Sequence, residues 1–129
     1  MIMSNWKLEE NVTDISDSKL LKEHWIEIEP DGWYCDYPFG CNAFFGAGLV
    51  DLNRGKEGFF PKHAAYRLDK LLAELPSVID AEEFKDIEAY YYAIQLKDKI
   101  FVHLVGDVKQ AIKACVQLLV LLKKEGDHV

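Results

Sequence analysis

The sequence predicts an α+β fold: an antiparallel sheet with helices packed on one face. Three observations lead there. Segments rich in aromatic and β-branched residues fall between Trp25 and Leu52 and again between Ile87 and Val105. Two stretches, about 61–75 and 107–124, carry apolar residues at helical spacing. The chain has 129 residues, half of them apolar or aromatic, which suits a single domain, 1–129, with an ordinary core.

Trp6 and Leu8 alternate with polar neighbours, as in a short strand. Asn11 to Lys22 carries Val12, Ile15, Leu20 and Leu21, with Ser16-Asp17-Ser18 as a helix cap. His24 to Glu29 reads as a strand with Ile26 and Ile28 on one face, ending at the turn Pro30-Asp31-Gly32. Trp33–Tyr37 and Phe44–Leu52 are the next strands, separated by Pro38 and Gly40; Gly46 and Gly48 mark a bulge in the second. Asn53-Arg54-Gly55 and Gly58 form a loop.

Pro61 opens a helix whose apolar face is Ala64, Leu68, Leu71, Leu72 and Leu75, and Pro76 closes it. Asp80-Ala81-Glu82-Glu83 has the pattern of a capping box and starts a short helix. Ile87–Leu96 and Ile100–Val105 read as an antiparallel hairpin, at about 87–105, turning at Lys97-Asp98-Lys99. Asp107 caps the last helix, whose stripe of Val108, Ile112, Cys115, Val116, Leu119 and Leu122 is widened by Leu118, Val120 and Leu121. Lys123 and Lys124 suit its C-terminal end, and Gly126 its stop. So wide a face belongs to the core or, as the minority reading, to a homodimer contact.

Charge and composition exclude several classes. The net charge is −7. Residues 1–31 hold eight acids against three lysines, and Asp80 to Glu88 holds five acids against one lysine. Such a field repels nucleic-acid phosphates and anionic lipid and favours a basic partner. The longest uncharged apolar run, Ala114 to Leu122, is too short to span a bilayer. Three cysteines, an odd number, and an N-terminus without a secretory pattern set the expectation of a reducing, cytoplasmic setting. Cys35 and Cys41 stand six apart, and His24, His63, His103 and His128 are scattered; no metal or cofactor is expected.

Residues 32–61 combine glycine, proline and aromatic residues, a composition for tight turns at a core edge or for an aromatic pocket at about 33–48. Cys35 or Cys41 with His63 is the one thiol–base pairing worth naming, and Asp36 and Asp51 are the carboxylates set among aromatics. Gly46-Ala47-Gly48 lacks the third glycine of a dinucleotide fingerprint, and no helix is expected to follow it. Tyr90-Tyr91-Tyr92 is flanked by acids, not by the basic residues of a base-stacking platform. His103 reads as a strand histidine rather than a proton switch.

No motif names a reaction, so the expectation is a binding protein, not an enzyme. Its most specific version is an immunity- or antitoxin-type inhibitor that neutralises a basic toxin, such as a nuclease, by tight complex formation. The contact residues would be Asp80, Glu82, Glu83 and Asp86, with Trp33 and Tyr34 as aromatic anchors. The rivals are a small-molecule enzyme or ligand-binding domain using the 33–48 stretch, and a homodimeric subunit of a larger assembly.

Overall fold

Helix α5 (Val108–Gly126) is the axis on which the other helices pack. The structure is a computed structural model that describes residues 7–36, 42–53, 55, 60–104 and 106–126. Ala111, Ile112, Ala114, Cys115, Val116, Leu118, Leu119, Val120 and Leu122 are all buried, so α5 is apolar around most of its circumference because other helices enclose it. Asp107 caps it by accepting from the Gln110 N–H at 3.2 Å, and Lys123 and Lys124 lie in its last turn. The face considered for a dimer contact is thus packed inside the chain.

Three helices lean on α5: α1 (Ile15–Glu23), α3 (Leu68–Glu74) and α4 (Ile87–His103). Beside them stands a three-stranded antiparallel sheet, in the order β2 (Asn42–Gly46), β1 (Gly32–Asp36), β3 (Pro61–Ala65). A short helix, α2 (Ala47–Asn53), follows β2, and 3-10 turns occupy Leu8–Asn11 and Ala81–Glu83. The fold is α+β, with helices packing on a sheet, as expected. Tyr34 stands opposite Phe44 in the β1–β2 ladder, and their rings meet edge to face at 5.4 Å. Gly32 lies where a Cβ would collide with the Phe44 ring, so the close approach of that ring requires glycine.

Several expectations need correction. The hairpin at 87–105 is helix α4 over Ile87–His103; Val105 lies outside the described residues. Tyr90–Tyr92 has strand propensity, but Lys97-Asp98-Lys99 contains no glycine or proline to turn the chain, and burying Ala93, Leu96 and Ile100 against the core favours one long helix. Pro61 begins an edge strand, where its missing N–H is tolerated, and the following helix starts only at Leu68. Phe44–Leu52 divides into β2 and α2, so a helix does follow the Gly46-Ala47-Gly48 run.

His24–Glu29 is not a strand. Its first residues close α1: Trp25 N–H donates to the Lys22 carbonyl at 3.1 Å and Ile26 N–H to the Leu21 carbonyl at 3.0 Å. This is the Schellman closure, with buried Leu21 and Ile26 as its apolar pair. The N-terminal cap of α1 is Asp14, accepting from Asp17 N–H at 2.8 Å, rather than Ser16-Asp17-Ser18. Leu8 opens a 3-10 turn, and Trp6 lies outside the described residues.

A polar knot ties the N-terminal segment to the sheet and to α5. Tyr34 Oη donates to the Thr13 carbonyl at 2.8 Å, and Thr13 Oγ1 accepts from the Tyr66 N–H at 3.2 Å. Lys109 Nζ donates to the Val12 carbonyl at 2.6 Å, and Lys113 Nζ reaches Asp14 at 2.6 Å and Asp17 at 3.3 Å. Burial, then the charges of Glu9, Asp14 and Asp17, push the Tyr34 phenol up to about 12.

Candidate functional site: the outer face of helix α4

Helix α4 buries Ala93, Leu96 and Ile100 in the core. Its opposite side is also apolar, yet it meets solvent. Ile87 is 71% exposed, Tyr91 62%, Phe101 77% and Val102 71%. Residues 87, 91, 98 and 102 return to one line of a helix at 3.6 residues per turn, so Ile87, Tyr91 and Val102 share that line with Asp98, and Phe101 flanks it. Exposed apolar residues occur singly on any surface; here four large ones lie on the outer side of one helix.

The aromatic part of the stripe is anchored from below. Phe84 is buried, and its ring meets Tyr90 edge to face at 5.6 Å; Tyr90 in turn meets Tyr91 at 5.8 Å. At the other end, a cleft of about 380 Å³ opens between α3 and α4, lined by Leu72, Leu75, Ile100, Phe101 and Leu104. Lys97 spans it, donating from Nζ to the Ser77 carbonyl at 2.9 Å.

The acidic segment stands at the N-terminal end of this stripe. Asp80, Glu82, Glu83, Asp86 and Glu88 are all exposed. Asp80 Oδ1 accepts from the Glu82 N–H at 3.0 Å and caps the 3-10 turn; Asp86 Oδ1 accepts from the Glu88 N–H at 2.9 Å and caps α4. The caps hold the segment in one shape. Asp86 therefore has a folding role as well as a charge, and Glu82 with Glu88 is the cleaner pair for charge reversal.

The other sequence candidates are dispersed. Trp33 and Tyr34 lie in the central strand of the sheet; Tyr34 is buried with Val12 and Ala65, and Trp33 lines a groove bordered by α1 and β3. Cys35 is buried opposite Pro61 and its thiol points at the Trp33 carbonyl at 3.8 Å, whereas His63 stands opposite Tyr34. Cys41 lies outside the described residues. Asp36 pairs with Lys62 at 3.4 Å, and Asp51 is exposed on α2. His103 ends α4, half-buried, and its carbonyl accepts from Asp107 N–H at 3.1 Å. Burial pushes the Cys115 thiol up to about 12, which makes it a packed side chain rather than a nucleophile.

Among the described residues, no group of three or more His, Cys, Asp or Glu is placed to hold a metal ion, and no helix is long and apolar enough to cross a membrane. Comparison with protein-family models, with characterised proteins and with solved structures finds no match.

Sequence reasoning placed the acidic residues but missed the stripe beside them. Its signal was present as Ile87 and Tyr91 four residues apart, with Phe101 and Val102 beyond Asp98.

Proposed function

We propose that this chain is a protein-binding domain that holds a basic partner against the outer face of α4. The observation that carries this reading is the exposed stripe Ile87, Tyr91, Phe101 and Val102 on a helix whose other side is already packed. An apolar, aromatic centre bordered by charge is the usual anatomy of a protein interface, with aromatic side chains supplying most of the affinity. Five acids at one end, in a chain of net charge −7, supply charge complementarity to a basic protein and speed the encounter. A second copy would bring a second −7 to the contact, which disfavours self-association. An immunity- or antitoxin-type inhibitor, blocking a basic toxin by complex formation, is the most specific form of this reading.

The test uses the full-length chain with a photoreactive phenylalanine analogue in place of Tyr91. Irradiation in the native host should trap one basic protein. Association of that protein with the wild type should slow as salt rises, and Glu82→Lys with Glu88→Lys should slow it further, with a weaker salt dependence. An acidic cross-linked partner, a cross-linked second copy, or an association rate indifferent to the double reversal would overturn the proposal.

A further inference from the structure

Helix α1 and the open edge of β3 border a groove of about 780 Å³, a volume suited to a small organic ligand. It lies outside the face assigned to the partner. Trp25, Ile28, Trp33 and Tyr66 give it an apolar wall. Lys19 and Lys22 reach it from α1, and Lys62 and His63 from β3. The acids that line it are Glu23 and Glu27, and Lys62 also pairs with Asp36 at 3.4 Å. Burial first, then Lys19, Lys22 and Lys62, hold the His63 imidazole below the ordinary value of 6.5. Three lysines against two lining glutamates make the groove richer in bases than the chain as a whole, whose net charge is −7.

Trp25 is the second observation. Its φ is +58°, the left-handed conformation that disfavours every side chain with a Cβ. It occupies the position of the Schellman closure at which helices usually carry glycine. The strained residue is also 78% exposed, so its indole contributes little to packing. A large aromatic side chain held in a disfavoured conformation at the wall of a groove is strain of the kind that collects at ligand sites.

We propose that this groove binds a small aromatic carboxylate, with the ring against Trp25 and Trp33 and the carboxylate beside Lys19, Lys22 and Lys62. The aromatic wall recognises the ring by stacking and burial, and the lysines select an anion over its neutral counterpart. His63, neutral at pH 7, becomes easier to protonate once the anion is seated.

The experiment is calorimetric titration of the full-length protein with 2-naphthoate and with the neutral isostere 2-naphthamide, paired with NMR of the His63 imidazole. Naphthoate should bind saturably and the amide at least about tenfold more weakly. The pKa of His63 should rise on binding. Trp25→Gly should weaken naphthoate about tenfold or more, while the melting temperature holds or rises, because glycine accepts the left-handed conformation without strain. Lys19→Gln with Lys22→Gln should erase the preference for the acid. Tyr91→Gln with Phe101→Gln should leave naphthoate affinity unchanged, which separates this site from the α4 face. Absence of saturable binding at millimolar naphthoate, equal affinity for acid and amide, wild-type affinity in Trp25→Gly, or tighter binding of an acidic aromatic peptide than of naphthoate would each overturn the proposal.

Discussion

Helices α4 and α5 are neighbours of similar length, 17 and 19 residues, packed against one another across a short connection. Both are apolar on more than one side, and they use that surplus differently. α5 is enclosed by α1, α3 and α4, so its Leu118, Leu119 and Val120 are all buried. α4 sits at the outside of the helical layer, so one side reaches the core and the other reaches water. Apolar width alone thus does not separate an enclosed helix from one with an exposed apolar side. What separates them is whether the chain supplies neighbours for both sides.

Substitutions that touch one helix and not the other test this difference. The largest effect belongs to α5. Leu119→Ala should cost roughly 2–5 kcal/mol, because the cavity it leaves is walled on every side. Urea denaturation measures it, and a loss below about 0.5 kcal/mol would place α5 at the surface.

The next effect lies in the polar knot that locks α1 to α5. Burial works to raise the Asp14 carboxyl, but Lys113 and the Asp17 N–H outweigh it and hold it below the usual value. Burial and the Asp14 charge raise Asp17 in spite of Lys113. Asp14 therefore contributes stability above the unfolded carboxylate range that is lost as pH falls through its folded pKa. Asp17 has the opposite sign, and its ionisation weakens the fold. Lys113→Met removes the cation from both. It should cost about 1–2 kcal/mol at neutral pH, a value held down by the exposure of Lys113 and Asp14. The deficit should shrink in acid, as pH falls through the lowered folded pKa of Asp14 and both carboxyls are protonated. Urea midpoints at the two pH values decide it; a deficit independent of pH would show that only the aliphatic stem of Lys113 matters. Smaller again is Asp86→Ala, which removes the α4 cap and should cost about 1 kcal/mol, read as a shift in the urea midpoint.

The same comparison explains what the sequence made legible. α5 was readable because its apolar residues, its Asp107 cap and its Lys123-Lys124 end all agree. α4 was misread because two apolar sides, one inward and one outward, blur a helical stripe into apparent strand alternation. The acids Asp80 to Asp86 were legible as a cluster, since charge density needs no fold to be seen. The groove was not: it joins α1 to Lys62 and His63, forty residues on, and its key feature is a backbone angle at Trp25. No sequence pattern marks a tryptophan where a glycine is usual. Pro61 misled for a related reason, because the same fixed φ serves a helix start and an edge strand.

In the proposed function, the outer side of α4 serves a partner and not the fold. The most direct measurement compares wild type with Tyr91→Gln and Phe101→Gln combined, in stability and in affinity for the cross-linked partner. The account predicts a stability change within about 0.5 kcal/mol, since both side chains are mostly in water, and a loss of affinity of about thirtyfold or more, as for hot-spot residues. A variant that loses 2 kcal/mol or more of stability, by the measure of a core substitution, yet binds at wild-type strength would contradict it.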